Sequence, residues 1–142
     1  MNDRFKALLS APAMQTKLGD LGLMAARVYF GLAMAFSHGI KKVPPSDGWI
    51  KFVGELGFPM SELFAWSAGL TELLGGLLIA LGLLTRVSSG LLISTMIVAV
   101  FMGHAGDPFS KQELGLCYLF ASLMFLTLGG GRYSLDRRLF RA

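Results

Sequence analysis

Residues 62–84 read ELFAWSAGLTELLGGLLIALGLL. As a helix rising 1.5 Å per residue, a run of this length covers the roughly 30 Å hydrocarbon core of a bilayer. Pro59 precedes it and Ser61 stands where an N-cap belongs. A single charged side chain, Glu72, lies in its interior. The stretch predicts a membrane span, and three more runs of the same kind surround it. The first covers about 21–40, with Asp20 placed to cap it. The third covers about 87–103, and the fourth about 112–128, ending in the glycine run 129–131.

The whole chain fits this reading. Its 142 residues are 54% hydrophobic and 15% charged, with a mean hydropathy of +0.59. A soluble domain carries about 25% charged residues. The fold expected is therefore all-α: an integral membrane bundle of four transmembrane helices, one domain over 1–142 with tails at 1–19 and 130–142. The net charge of +4 does not suggest nucleic acid, because the cations fall between apolar runs and not on one face. Near the N-terminus, Phe5, Leu8 and Leu9 suit either a short amphipathic anchor or a flexible leader.

Orientation follows from where Lys and Arg fall. One side collects Arg4, Lys6, Lys17, Arg86, Arg132, Arg137, Arg138 and Arg141 against Asp3, Asp20 and Asp136. The other collects Lys41, Lys42, Lys51 and Lys111 against Asp47, Glu55, Glu62, Asp107 and Glu113. The first side is expected to be cytoplasmic, with both termini there and the protein in a bacterial inner membrane. In the first outer loop, Ser46 can cap a short helix after Pro44 and Pro45. Trp49, Phe52, Val53 and Leu56 make one apolar stripe on it. Its expected use is to lie flat at the interface; a lid over an outer-facing site is the second reading.

An ionisable side chain in mid-span costs about 2.5–3.5 kcal/mol on insertion scales and normally faces the bundle with a partner. Arg27 and Glu72, on neighbouring spans, are expected to pair, either to fix helix register or to hold Glu72 ready beside a pocket. His38, Lys41, His104, Asp107 and Glu113 cluster at the outer helix ends, and Arg27, His38 and Lys41 share one helical face. The candidate ligand-binding set is Arg27, His38, Lys41, Glu72, His104 and Glu113. His38 and His104 with Asp107 or Glu113, and with Met34 and Met102 as soft donors, form a conceivable metal set. No strong metal spacing is present, so no metal is assigned. Cys117 is a lone cysteine, expected to be inert packing, which argues against dithiol exchange chemistry.

In chain order, several pieces carry a family likeness: Arg27 with Gly31, then His38-Gly39-Ile40-Lys41; Glu72 with Gly75 and Gly76; Gly82-Leu83-Leu84-Thr85-Arg86; Glu113; and Gly131-Arg132-Tyr133-Ser134-Leu135-Asp136. In this order the chain resembles the DoxX family of small bacterial four-helix membrane proteins. Gly130 stands where that family often has proline. The resemblance implies a membrane bundle and, from the subunit that gives the family its name, a link to thiosulfate:quinone oxidoreduction. It maps the family's polar pattern onto Arg27, Lys41, Glu72 and Glu113.

The leading expectation is thus a quinone-linked redox subunit. In it, Glu72 or a histidine exchanges protons and Arg27 stabilises a reduced oxygen. A partner protein supplies electrons, since no flavin, haem or iron–sulfur motif is present. A non-catalytic anchor or assembly protein and a small transporter or binder of an apolar or weakly acidic compound are the alternatives, and a bundle this small is also a candidate homo-oligomer. The topology makes a direct prediction. With Cys117 replaced by serine, a cysteine at Ser46 reacts with a membrane-impermeant thiol reagent in intact cells, and one at Ala142 does not. Equal labelling at both positions would overturn the orientation.

Overall fold

A computed structural model describes residues 16–140, and these residues are helical throughout apart from short connections. The helices are α1 (Lys17–Lys42), α2 (Asp47–Glu55), α3 (Ser61–Leu81), α4 (Thr85–Gly103), α5 (Phe109–Leu128) and α6 (Leu135–Leu139). The expected N-terminal anchor lies outside the described residues. By length and composition α1, α3 and α4 suffice to cross a membrane, at 26, 21 and 19 residues. The fourth long helix, α5, has 20 residues and packs along α4. Its polar first turn, Ser110 to Glu113, keeps it less apolar than the other three.

Burial is inverted relative to a water-soluble domain. Arg27, Glu72, Asp20, Asp136, Thr85, Ser88 and Ser89 are buried, while Leu32, Phe36, Leu74, Leu91, Phe101 and Phe120 are exposed. Water would leave so broad an apolar surface unstable, and lipid solvates it. This is a multi-pass membrane protein. Its apolar centre joins Leu23, Met34, Ile79, Leu92, Met96, Tyr118, Leu119 and Phe125. Phe30 meets Tyr118 and Phe125 edge-on, with centroids at 5.8 and 6.3 Å.

Local signals place the helix ends. α1 begins earlier than the sequence suggests, because Thr16 supplies the capping oxygen and accepts from the Gly19 amide at 3.1 Å. Asp20 is therefore no cap; it lies buried in the first turn, where a carboxylate suits the positive helix end. The α3–α4 turn runs through two left-handed residues, Gly82 (φ 69°) and Leu84 (φ 49°). Asp136 secures it, accepting from the Leu84 and Thr85 amides at 2.6 and 2.9 Å while its own amide donates to the Gly82 carbonyl at 2.8 Å. The segment carrying Gly131 to Asp136 thus folds back to cap α4.

The closest packing joins α1 and α3, which run antiparallel. A β-carbon on Gly31 would come within 2.5 Å of the Gly76 carbonyl oxygen, and one on Gly76 within 2.7 Å of the Gly31 oxygen. Small residues in a membrane let backbones meet in this way. Three of the long helices also contain a π-helical turn, at Met34–His38, Thr71–Gly75 and Ala99–Gly103. Such turns insert an extra residue and re-aim the side chains beyond them. Replacing Gly76 with alanine should cost about 1–3 kcal/mol of stability. Gly90→Ala, whose β-carbon meets open space, should cost nothing measurable. Thermal unfolding in detergent compares the two, and equal effects would refute the tight contact.

Candidate functional site

At the α2 end of the bundle, the close approach of α1 and α3 brings two charged side chains together. Gly39 lets α1 lie against the backbone at Leu73, and Gly69 lets the chain at Lys42 pass over α3, where a β-carbon would come within 2.7 Å of the Lys42 carbonyl. Lys42 Nζ then reaches Glu72 Oε1 at 2.6 Å. Glu72 is almost fully enclosed (1% exposed), and Lys42 is partly covered (25%). The ammonium also sits 4.6 Å from the centroid of the Trp49 ring. Trp49 Nε1 donates to the Ala65 carbonyl at 3.3 Å, tying α2 to α3. The second carboxylate oxygen, Glu72 Oε2, is buried with no hydrogen-bond partner among the described residues.

Glu72 forms part of the wall of a cavity of about 420 Å³ between α2, α3 and α4. That volume lies within the range of small-molecule sites, roughly 300–1,000 Å³. The stripe Trp49, Phe52, Val53 and Leu56 lines one side of it, so the short helix of the first outer loop covers the cavity. Phe58 and Phe64 add aromatic walls; Ser67 and Thr71 come from α3, and Leu91, Ser94, Thr95 and Val98 from α4. Its edge includes His104, whose Nδ1 lies 2.9 Å from Asp107 Oδ2. Asp107 is held below the usual carboxylate range, mainly by the hydrogen bond with His104 and further by Lys111 nearby. Being depressed, it remains ionised to a lower pH than an ordinary aspartate does.

The sequence candidates separate in space. Glu72 and His104 both line the cavity. His38 points elsewhere, its ring edge-on to Tyr118 at 5.3 Å, and Lys41 and Glu113 are exposed and do not line the cavity. The expected Arg27–Glu72 pair does not form. Position 39 of α1 faces Glu72, which leaves Arg27 about 18 Å away along the helix axis. Arg27 instead donates through Nη1 to the Ile79 and Ala80 carbonyls, both at 2.6 Å, and through Nη2 to Tyr133 at 3.1 Å. It caps the C-terminal carbonyls of α3, a structural role. Among the described residues, no three His, Cys, Asp or Glu side chains are placed to hold a metal ion. Cys117 is exposed on α5 and not packed inside.

The residue missed was Lys42. On a regular helix, Lys41 continues the face of Arg27 and His38. The π turn at Met34–His38 inserts one residue, so the next lysine takes the inward position. The doublet Lys41-Lys42 was visible in the sequence, but the turn that chooses between its members was not.

A family model, DoxX, matches residues 22–105, a region that holds Lys42, Glu72 and the cavity walls. The chain belongs to the DoxX family. Over 124 residues it is 32% identical to "Putative oxidoreductase CatD" of Bacillus subtilis (strain 168), covering 86% of this chain and 90% of that protein. Over 152 aligned positions it is 32% identical to "Uncharacterized membrane protein Rv3486" of Mycobacterium tuberculosis (strain ATCC 25618 / H37Rv), covering 92% and 88%. No solved structure matches.

The two lysines make a sharp comparison. Lys42→Met strands the Glu72 carboxylate and should destabilise the bundle by about 3–5 kcal/mol, as removing one partner of a buried pair does. Lys41→Met should change stability by less than about 0.5 kcal/mol, as at an ordinary surface site. Denaturation of the two variants in the same detergent decides it, and the reverse order would refute the pairing.

Proposed function

We propose that this chain is the inner-membrane subunit of a quinone-linked redox system, holding the quinone ring in the cavity beneath α2. One observation carries the reading: a carboxylate enclosed among apolar walls, with one oxygen on Lys42 and the other without a partner. Burying such a group is costly, and a cavity beside it gives the free oxygen a use. The similarity to "Putative oxidoreductase CatD" of Bacillus subtilis supports the same reading.

The residues present fit a quinone. Trp49, Phe52, Phe58 and Phe64 offer aromatic faces to a flat ring, and Leu56, Leu91 and Val98 suit an apolar tail. Lys42 can donate to a ring oxygen, and Glu72 Oε2 can accept or hold a proton there. When bound, a quinone supplies two-electron, two-proton chemistry within the lipid phase. Arg27, placed at the far end of α1, takes no part in binding the ring. The electrons come from a partner protein, because a lone Cys117 offers no dithiol couple. Four crossings with both termini cytoplasmic, as the Lys and Arg distribution indicates, put the cavity in the outer half of the membrane.

Quinone content after extraction with native lipids tests this. The natural chain should retain near-stoichiometric quinone, Glu72→Ala at matched folding should lose it, and Glu113→Gln should keep it. Quinone-free natural protein would contradict the proposal and favour an anchoring role.

A further inference from the structure

Apart from Lys42 and Thr71, the polar side chains of α3 and α4 in the cavity wall have little left to donate. Ser67 donates its hydroxyl proton to the Leu63 carbonyl at 2.8 Å, Ser94 to Leu91 at 2.7 Å and Thr95 to Leu91 at 3.2 Å. Each proton is committed to its own helix, and what these side chains keep for an occupant is oxygen lone pairs. The indole N–H of Trp49 is likewise committed to Ala65. His104 Nδ1 is taken up by the Asp107 carboxylate at 2.9 Å. Glu72 Oε2 is a buried acceptor without a donor.

From this we infer that the cavity selects the reduced, dihydroxy form of the ring over the oxidised, dicarbonyl form. The inference rests on the quinone-linked reading above and gives it a direction. A hydroxyl donates to Glu72 Oε2. A carbonyl placed there sets lone pairs against lone pairs and leaves the carboxylate oxygen unsatisfied. The Lys42 ammonium and the Thr71 hydroxyl serve either form, since each can donate to a carbonyl or to a hydroxyl oxygen. Discrimination therefore falls to the acceptors. The Lys42–Glu72 pair also cancels its own charge, which favours a neutral hydroxyl over a cationic donor. Tighter binding of the reduced form raises the midpoint potential of the bound couple, by about 30 mV for each tenfold preference. Such a site draws reducing equivalents from its donor and holds the reduced ring.

Equilibrium dialysis under argon tests this with the full chain in lipid nanodiscs. The probe is one short-chain benzoquinone, used oxidised and after borohydride reduction. The reduced form should bind at least about tenfold more tightly, a preference worth roughly 1.4 kcal/mol. Glu72→Gln, which can donate as well as accept, should erase the preference. Thr95→Val, of nearly the same shape, should weaken it, and it serves as the test if the glutamine variant does not fold. Equal affinity for both forms, or preference for the oxidised one, would overturn the selection and leave the quinone reading standing. A preference that survives in folded Glu72→Gln would also overturn it. Binding of neither form would remove both.

Discussion

Everything else in this molecule depends on how closely the backbones of α1 and α3 approach. Gly31, Gly39, Gly69 and Gly76 remove the β-carbons that would hold the helices apart. In lipid, no hydrophobic drive presses helices together, so van der Waals contact of this kind, with the polar contacts it permits, sets the register. That register decides which polar side chains meet. It sets Lys42 against Glu72 near α2 and leaves Arg27 beside the last carbonyls of α3.

The two buried charge systems consequently do different work. At the α3–α4 turn, Arg27 and Asp136 satisfy helix ends: carbonyls of Ile79 and Ala80 on one side, amides of Leu84 and Thr85 on the other. Their hydrogen bonds go to backbone groups that would otherwise be unpaired. At the other end, Glu72 is only half satisfied. The structure tolerates a partly unpaired carboxylate there because Lys42 neutralises it and Trp49 shelters the ammonium. Arg27 also keeps one buried nitrogen, Nε, without a partner; what sets Glu72 apart is that it stands in the wall of a cavity, whereas Arg27 spends its hydrogen bonds on helix-end carbonyls.

Much of the fold was legible. Hydropathy located the long helices to within a few residues, and the Pro44-Pro45-Ser46 punctuation located α2, because these signals are local. Which charges pair was not legible, since pairing depends on interhelical register, and register rests on glycine contacts spread over two helices. Arg27 and Glu72 suggest a pair because both lie within spans and are opposite in sign, yet neither property fixes height along the helix. Lys41 was chosen over Lys42 by assuming an unbroken 3.6-residue period, which the π turn at Met34–His38 interrupts. The family likeness marked the pieces Gly82–Arg86 and Gly131–Asp136 separately, but only the folded chain joins them through Asp136.

The central claim is the contact between Lys42 and Glu72, and solid-state NMR in native lipid tests it most directly. Dipolar recoupling between ¹⁵N-labelled lysine Nζ and ¹³C-labelled glutamate carboxylates reports pairs within about 4 Å. The account predicts a strong coupling that disappears in Lys42→Met and persists in Lys41→Met, above whatever weak signal the exposed Lys51–Glu55 pair contributes. A coupling unchanged by Lys42→Met, or lost in Lys41→Met, would contradict the register and the site built on it.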